Sequence, residues 1–234
     1  MKKENLIELD NGNLALIEQM RNRPGEIILE ELIQQAFKIF ANKLANGGII
    51  AENEFAFQFE LGTILKTLGQ LYEFKLEDKF HLEFETNISL NKESSKSKTK
   101  QARIDLLIRY ELDNKTIQAA IELKYFRKKN NREPNNRYDI FTDISNLESY
   151  KKNNIEICYF LLITDHQHYV DKETYSQDTS DFDVRHGKTY KANTVLSYRT
   201  PKKPKKYEAD IILTQDYDFG WKTLGNYYFL ILKV

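Results

Sequence analysis

The sequence predicts an α/β fold, a mixed sheet covered by helices, in a single domain spanning residues 1–234. Helix-period and strand-period segments alternate between residues 52 and 164 in the order helix, strand, strand, strand, helix, strand, the pattern of a sheet with helices packed on it. Neither an internal repeat nor a Pro-rich or Gly-rich linker interrupts the 234 residues, a length that suits one sizeable domain with elaborations. The composition, 41% hydrophobic and 30% charged, is that of an ordinary globular chain.

Taking the elements in order, Pro24-Gly25-Glu26 opens a helix whose apolar stripe is Ile28, Leu29, Leu32, Ile33, Phe37, Phe40 and Leu44, and Gly47-Gly48 ends it. A second helix spans about residues 52–71. In the strand at residues 79–90, Phe80, Leu82 and Phe84 alternate with His81, Glu83 and Glu85. The polar stretch 91–100 is read as a loop. Two strands, 103–112 and 115–124, flank Asp113-Asn114. A helix over 138–152 precedes a buried strand at 155–164. Residues 165–206 read as irregular and polar, and strands at 207–213 and 227–234 finish the chain. The core is thus about 52–164, preceded by a helix and followed by a C-terminal elaboration over 165–234.

No apolar run is long enough to span a bilayer, and the N-terminus lacks the pattern of a signal peptide. The one cysteine, Cys158, lies in a buried strand and can form no internal disulfide. The expected location is therefore cytoplasmic. Formal net charge is zero, so overall charge does not mark a nucleic-acid binder, but the basic residues are segregated. Lys92, Lys96, Lys98, Lys100 and Arg103 form one cluster, Lys124, Arg127, Lys128, Lys129, Arg132 and Arg137 a second, and Lys202, Lys203, Lys205 and Lys206 a third. Such segments can give a neutral protein a face for polyanions, although each taken singly reads as a solvated loop.

The middle hairpin carries the chemistry. If Asp113 and Asn114 are its two loop residues, Leu112 pairs with Lys115 and Asp105 falls opposite Glu122. The same register sets Ile104 opposite Leu123, Leu106 opposite Ile121 and Ile108 opposite Ala119, an apolar face. Asp105, Glu122 and Lys124 then share the other face, because side chains alternate with period two. Directly opposed side chains have Cβ atoms ~4.5–5.5 Å apart. Two carboxylates so placed repel unless a cation or shared proton lies between them, and a hard, oxygen-seeking ion such as Mg²⁺ suits them. The plainer alternative is that Lys124 is only a salt-bridge partner. Against it, charges grouped inside apolar strands are costly unless paired or metal-bound.

An Asp on one strand followed, after a hairpin, by Glu122-Leu123-Lys124 on the next resembles the signature of the PD-(D/E)xK, restriction-endonuclease-like nucleases, with Ile104 in place of the nominal Pro. The order of elements over 52–164 is similar to the common core of that superfamily. The resemblance implies Mg²⁺-dependent hydrolysis of phosphodiester bonds, with Mn²⁺ as a substitute. The metal ligands would be Asp105, Glu122 and the backbone carbonyl of Leu123. Lys124 would orient the attacking water or stabilise the transition state. Family members often add a Glu from the preceding helix. Glu54 falls about 40° from that helix's apolar stripe and Glu60 about 80°, so Glu54 is the better choice. Lys98, Lys100, Arg103, Arg127, Lys128 and Lys129 are the candidate phosphate contacts. The implied partner is nucleic acid, DNA in the first place, with a homodimer left open and no membrane; the implied role is bacterial restriction or defence. A non-cleaving binding or scaffold protein on the same fold and an RNA-directed nuclease are the alternatives.

Other signals are weaker. Asn146 and Tyr150 are similar to a Gln-x-x-x-Tyr pair of some relatives. Asp165-His166-Gln167-His168 alternates two histidines, but no companion Cys or acidic motif of zinc spacing follows, so they read as surface histidines. There is no phosphate-binding Gly-rich loop and no Gly-x-Ser-x-Gly, and Cys158 has no activating context. The segment 183–188 carries no assigned mechanism.

Overall fold

The computed structural model describes residues 23–90, 101–112, 114–130, 132–199 and 209–234. Its central sheet is mixed, six strands in the order β1-β2-β3-β4-β10-β9, where β1 is Lys79–Ser89, β2 Gln101–Leu112, β3 Lys115–Phe126, β4 Ile157–Thr164, β9 Lys222–Leu224 and β10 Tyr227–Lys233. Only β3 and β4 run parallel; the other pairs are antiparallel. That parallel step needs a crossover, which helix α3 (Glu133–Lys151) supplies.

Helices α1 (Gly25–Ala45) and α2 (Glu54–Gln70) cover one face of the sheet. Every residue of the expected α1 stripe is buried. Gly47 ends the helix at φ +75°, a left-handed conformation that glycine adopts without steric cost. Helix α2 starts where Asn53 accepts a hydrogen bond from the Ala56 N–H at 2.8 Å. A Cβ on Gly62 or Gly69 would collide with Phe84 or Phe80, so these two glycines let α2 lie directly on β1.

The other face is covered by α3 and the C-terminal elaboration. Helix α3 begins at Glu133, five residues before the expected start at 138, because Pro134 in its first turn already has the helical φ and needs no N–H partner. It is buried on several sides and so carries polar residues with fixed partners. Arg137, 1% exposed, donates to Thr179 Oγ1 at 2.5 Å and packs 3.5 Å from the Tyr175 ring centre. Glu148 accepts from Tyr217 Oη and the Thr214 N–H, both at 2.8 Å.

These contacts correct the reading of 165–206 as merely irregular. Short strands β5 (Thr189–Tyr190) and β6 (Val195–Leu196) pair with β8 (Tyr217–Asp218) and β7 (Ile211–Ile212) and bury Phe182, Val184, Tyr190 and Leu196 against α3. The segment 183–188 belongs to this packing: Trp221 donates to the Val184 carbonyl at 2.6 Å, and Asp183 holds Arg185 at 2.6 Å. The strand expected over 207–213 is confined to Ile211–Ile212 among the described residues, while β9 forms a hairpin with β10 that alternation alone did not mark.

Register is where sequence and structure meet most closely. Leu112 pairs with Lys115, Ile108 with Ala119 and Leu106 with Ile121, as the turn at Asp113-Asn114 predicts. The ladder then stops, and the expected pairs Asp105–Glu122 and Ile104–Leu123 do not form. Ile104 does not continue the apolar face of Leu106 and Ile108; it packs on the α3 side with Leu107 and Ala120. Strand β1 changes face at the same level, with Phe80 and Leu82 towards α1 and α2 but Ile88 and Leu90 towards α3. Between them Glu85 sits at φ +52°. Both strands change face beside Asp105, and β2 leaves the β3 ladder there. Among the described residues, no helix is long and apolar enough to cross a membrane.

Candidate active site where strands β2 and β3 part

Parting strands leave backbone N–H groups without ladder partners, and buried donors must be satisfied. On the β2 side of β3 these donors are the N–H groups of Leu123 and Tyr125. Asp105 Oδ2 accepts from Leu123 at 2.7 Å, and Glu54 Oε2 accepts from Tyr125 at 3.2 Å. Gln58 Nε2 in turn donates to the Asp105 carbonyl oxygen at 2.6 Å and to Glu85 Oε1 at 3.1 Å. Three polar side chains thus replace the missing ladder and fix two carboxylates at the mouth of the gap.

On the face towards α3, β3 presents Glu122 and Lys124. Glu122 is 2% exposed and accepts from Tyr150 Oη at 3.1 Å. Lys124 Nζ lies 2.8 Å from Asp143 Oδ2 and 3.8 Å from Glu54 Oε1. It also donates to the Leu123 carbonyl at 2.9 Å. Glu54, Asp105, Glu122 and Lys124 are therefore brought together, and Glu54 rather than Glu60 makes these contacts.

The residue that sequence reasoning missed is Asp143, which is 1% exposed. Its signal was present: Asp143, Asn146 and Tyr150 are spaced i, i+3, i+7 on α3, one helical face, and all three are buried.

Four carboxylates surround one ammonium. Burial raises the Asp105 carboxyl to about 6, and the charges of Glu54 and Asp143 add to this while Lys124 and the Leu123 N–H oppose it. Burial works to lower the Lys124 pKa, but Asp143, Glu54, Asp105 and Glu122 together hold it well above its usual value. Burial and the charge of Glu122 also raise the Tyr150 hydroxyl, which stays a proton donor. If all four carboxylates ionise, a single lysine leaves the cluster strongly anionic. That excess, with Asp105, Glu122 and the Leu123 carbonyl as oxygen donors, fits a hard divalent cation.

A pH effect follows. The folded Asp105 pKa lies above its unfolded value, so its neutral form contributes stability below about pH 4 that is lost as pH rises through about 6. In chelator, Asp105→Asn should therefore gain about 1.4 kcal/mol relative to wild type on going from pH 5 to 7.5. Urea titrations at the two pH values measure this, and an unchanged difference would contradict it.

The expected phosphate contacts divide. Lys98 and Lys100 lie outside the described residues. Arg103 is paired with Glu85 at 2.7 Å, and Arg127 with Asp165 at 2.8 Å. Lys128 and Lys129 are exposed in the segment leaving β3. His166 and His168 are not plain surface histidines: with Glu133, each offers a ligand atom within 4.8 Å of the others. The acid comes from α3 through tertiary structure, so local spacing could not show it. No family model, curated protein or solved structure matches the chain.

Proposed function

We propose that this chain is a metal-dependent nuclease of the PD-(D/E)xK, restriction-endonuclease-like class, hydrolysing phosphodiester bonds in DNA. The observation that carries the reading is the cluster itself: Asp105, Glu122 and Lys124 gather with Glu54 where β2 parts from β3, on a helix-strand-strand-strand-helix-strand core. Asp105, Glu122 and the Leu123 carbonyl would hold Mg²⁺. When bound, that ion would polarise the scissile phosphate and acidify a water molecule. Tyr150 keeps Glu122 oriented through its hydroxyl, and the Leu123 N–H does the same for Asp105. Asp143 holds the Lys124 ammonium in place and charged. From there Lys124 can donate to the attacking water or to the phosphoryl oxygens as negative charge develops, which is where a fixed donor helps most. Restriction or defence is the biological role that accords with this class.

A second reading has its own observation. Asp105 and Glu54 cap backbone N–H groups, and Lys124 neutralises buried Asp143, so the cluster also suits a scaffold or binding protein that does not cut. Incubation of purified protein with duplex DNA, single-stranded DNA and RNA, in Mg²⁺ or EDTA, separates the readings. Cleavage of DNA in Mg²⁺ alone is expected. Cleavage confined to RNA would shift the substrate, and binding without cleavage of any polymer would favour the scaffold. Substrate contact is expected at Lys128 and Lys129 more than at Arg127, whose guanidinium is engaged by Asp165. Neutralising the two lysines should make the log–log salt dependence of DNA binding shallower by roughly 0.9 per lost phosphate contact. Fluorescence anisotropy over a salt series reads this, and an unchanged slope would take the segment out of the interface.

A further inference from the structure

A second cluster stands apart from Lys124, at the end of the sheet where β3 and β4 finish. Glu133 is the first residue of α3, His166 follows β4, and His168 opens the short helix α4 (His168–Asp171). Their separation in sequence hides the group, and only the crossover through α3 brings the acid back to the histidines. One ligating atom from each lies within 4.8 Å of the others. His166 Nε2 is 2.9 Å from Glu133 Oε1, with both side chains 18% exposed, and the two imidazole rings are 5.4 Å apart. His168 Nε2 is shielded from solvent and has no hydrogen-bond partner.

The surrounding backbone is held in place by other groups, so the three side chains are not its only support. Asp165, just before His166, accepts from Arg127 Nε at 2.8 Å and from the Lys128 N–H at 2.6 Å. The His166 N–H donates to Thr164 Oγ1 at 3.0 Å, and Tyr175 Oη donates to the His168 carbonyl at 3.0 Å. Asn136, one turn into α3, donates to Tyr169 Oη at 2.8 Å and ties α3 to α4. His166 and His168 also line an open cleft of about 560 Å³ with Lys128, Lys172 and Tyr228.

We propose that Glu133, His166 and His168 form a site for a d-block divalent cation, Zn²⁺ in the first place, with a coordination position open to this cleft. Two imidazoles, which are borderline donors, beside one carboxylate favour Zn²⁺, Co²⁺ or Ni²⁺ over Mg²⁺. Tetrahedral coordination at ordinary Zn–N and Zn–O lengths sets ligand atoms about 3.3 Å apart. The three atoms already lie within 4.8 Å of one another, and Glu133 Oε1 and His166 Nε2 within 2.9 Å. Three protein ligands with a fourth position facing solvent describe a reactive or exchangeable site, since purely structural zinc sites are closed by four protein ligands. The cluster is independent of the proposed nuclease centre. Glu133 and Asp143 are ten residues apart on α3, which is about 15 Å along the helix axis.

The test uses untagged protein of this sequence carrying Asp105→Asn and Glu122→Gln, which disable the other proposed cation centre, stripped of metal and titrated with Zn²⁺ and, separately, with Co²⁺. This parent should bind one Zn²⁺ per chain by calorimetry and develop the visible absorption of low-coordinate Co²⁺. His166→Ala and His168→Ala, each added to this parent, should lose at least 100-fold in Zn²⁺ affinity, and Zn²⁺ should raise the Tm of the parent but not of either histidine variant. If His168→Ala does not fold, His168→Gln, which keeps the volume but not the imidazole, takes its place. Absence of stoichiometric Zn²⁺ binding to the parent, or affinity unchanged in both histidine variants, overturns the proposal and leaves a histidine–glutamate hydrogen bond.

Discussion

Lys124→Met is expected to lose both activity and stability, and the two losses should be separable. Removing a fixed donor to developing phosphoryl charge should slow cleavage by about 10²–10³-fold. Removing the ammonium also strands Asp143, buried 2.8 Å from Nζ, beside Asp105 and Glu122. Breaking a buried ion pair from one side costs about 3–5 kcal/mol, so in EDTA the variant should unfold at clearly lower urea than wild type. Mg²⁺ should return part of that loss by supplying the missing positive charge. Adding Asp143→Asn to Lys124→Met removes the stranded carboxylate. The double variant should recover most of the stability and none of the cleavage. Recovery of both would make Lys124 a structural counter-ion, and a single variant that cuts at the wild-type rate would remove it from the chemistry.

The second large effect concerns cation affinity. Asp105→Asn and Glu122→Gln are each expected to weaken Mn²⁺ binding by about 100-fold or more, as loss of a direct ligand exceeds the 10–100-fold typical of outer partners. Both variants should fold. An asparagine oxygen can still accept from the Leu123 N–H, and a glutamine oxygen from Tyr150 Oη, so the local hydrogen bonds survive. In chelator Asp105→Asn should even be more stable near neutral pH, because burial and its anionic neighbours disfavour the charged form. Calorimetry with Mn²⁺ on wild type and both variants gives the affinities. Equal affinities in all three would mean that these carboxylates only cap backbone and balance charge.

The hairpin was legible in the sequence because one assumed turn had to satisfy two constraints at once: an apolar face and a charged face. The observed pairs from Leu112–Lys115 to Leu106–Ile121 follow it. Alternation cannot foresee a strand that changes face, and Ile104 accordingly sits on the opposite face from the one expected. Glu54 could be ranked above Glu60 from helical geometry, since both lie on one regular element. Asp143 was harder to find. Helix α3 is buried by the sheet on one side and by residues 175–199 and 209–221 on another, so its polar residues form no single solvent-facing stripe from which a functional one would stand out. The C-terminal elaboration was least legible: its strands are two or three residues long apart from β10, too short for periodicity to register. The partnership of Glu133 with His166 and His168 is made entirely by the fold.

The measurement that bears most directly on the central claim is cleavage of duplex DNA by wild-type protein in Mg²⁺, with EDTA and Glu122→Gln run in parallel. The account predicts product only for wild type in Mg²⁺, with EDTA and Glu122→Gln both reduced to background. Product formed equally by Glu122→Gln, or by wild type in EDTA, would contradict a metal-dependent centre at Asp105, Glu122 and Lys124, and intact DNA under all three conditions would contradict DNA as the substrate.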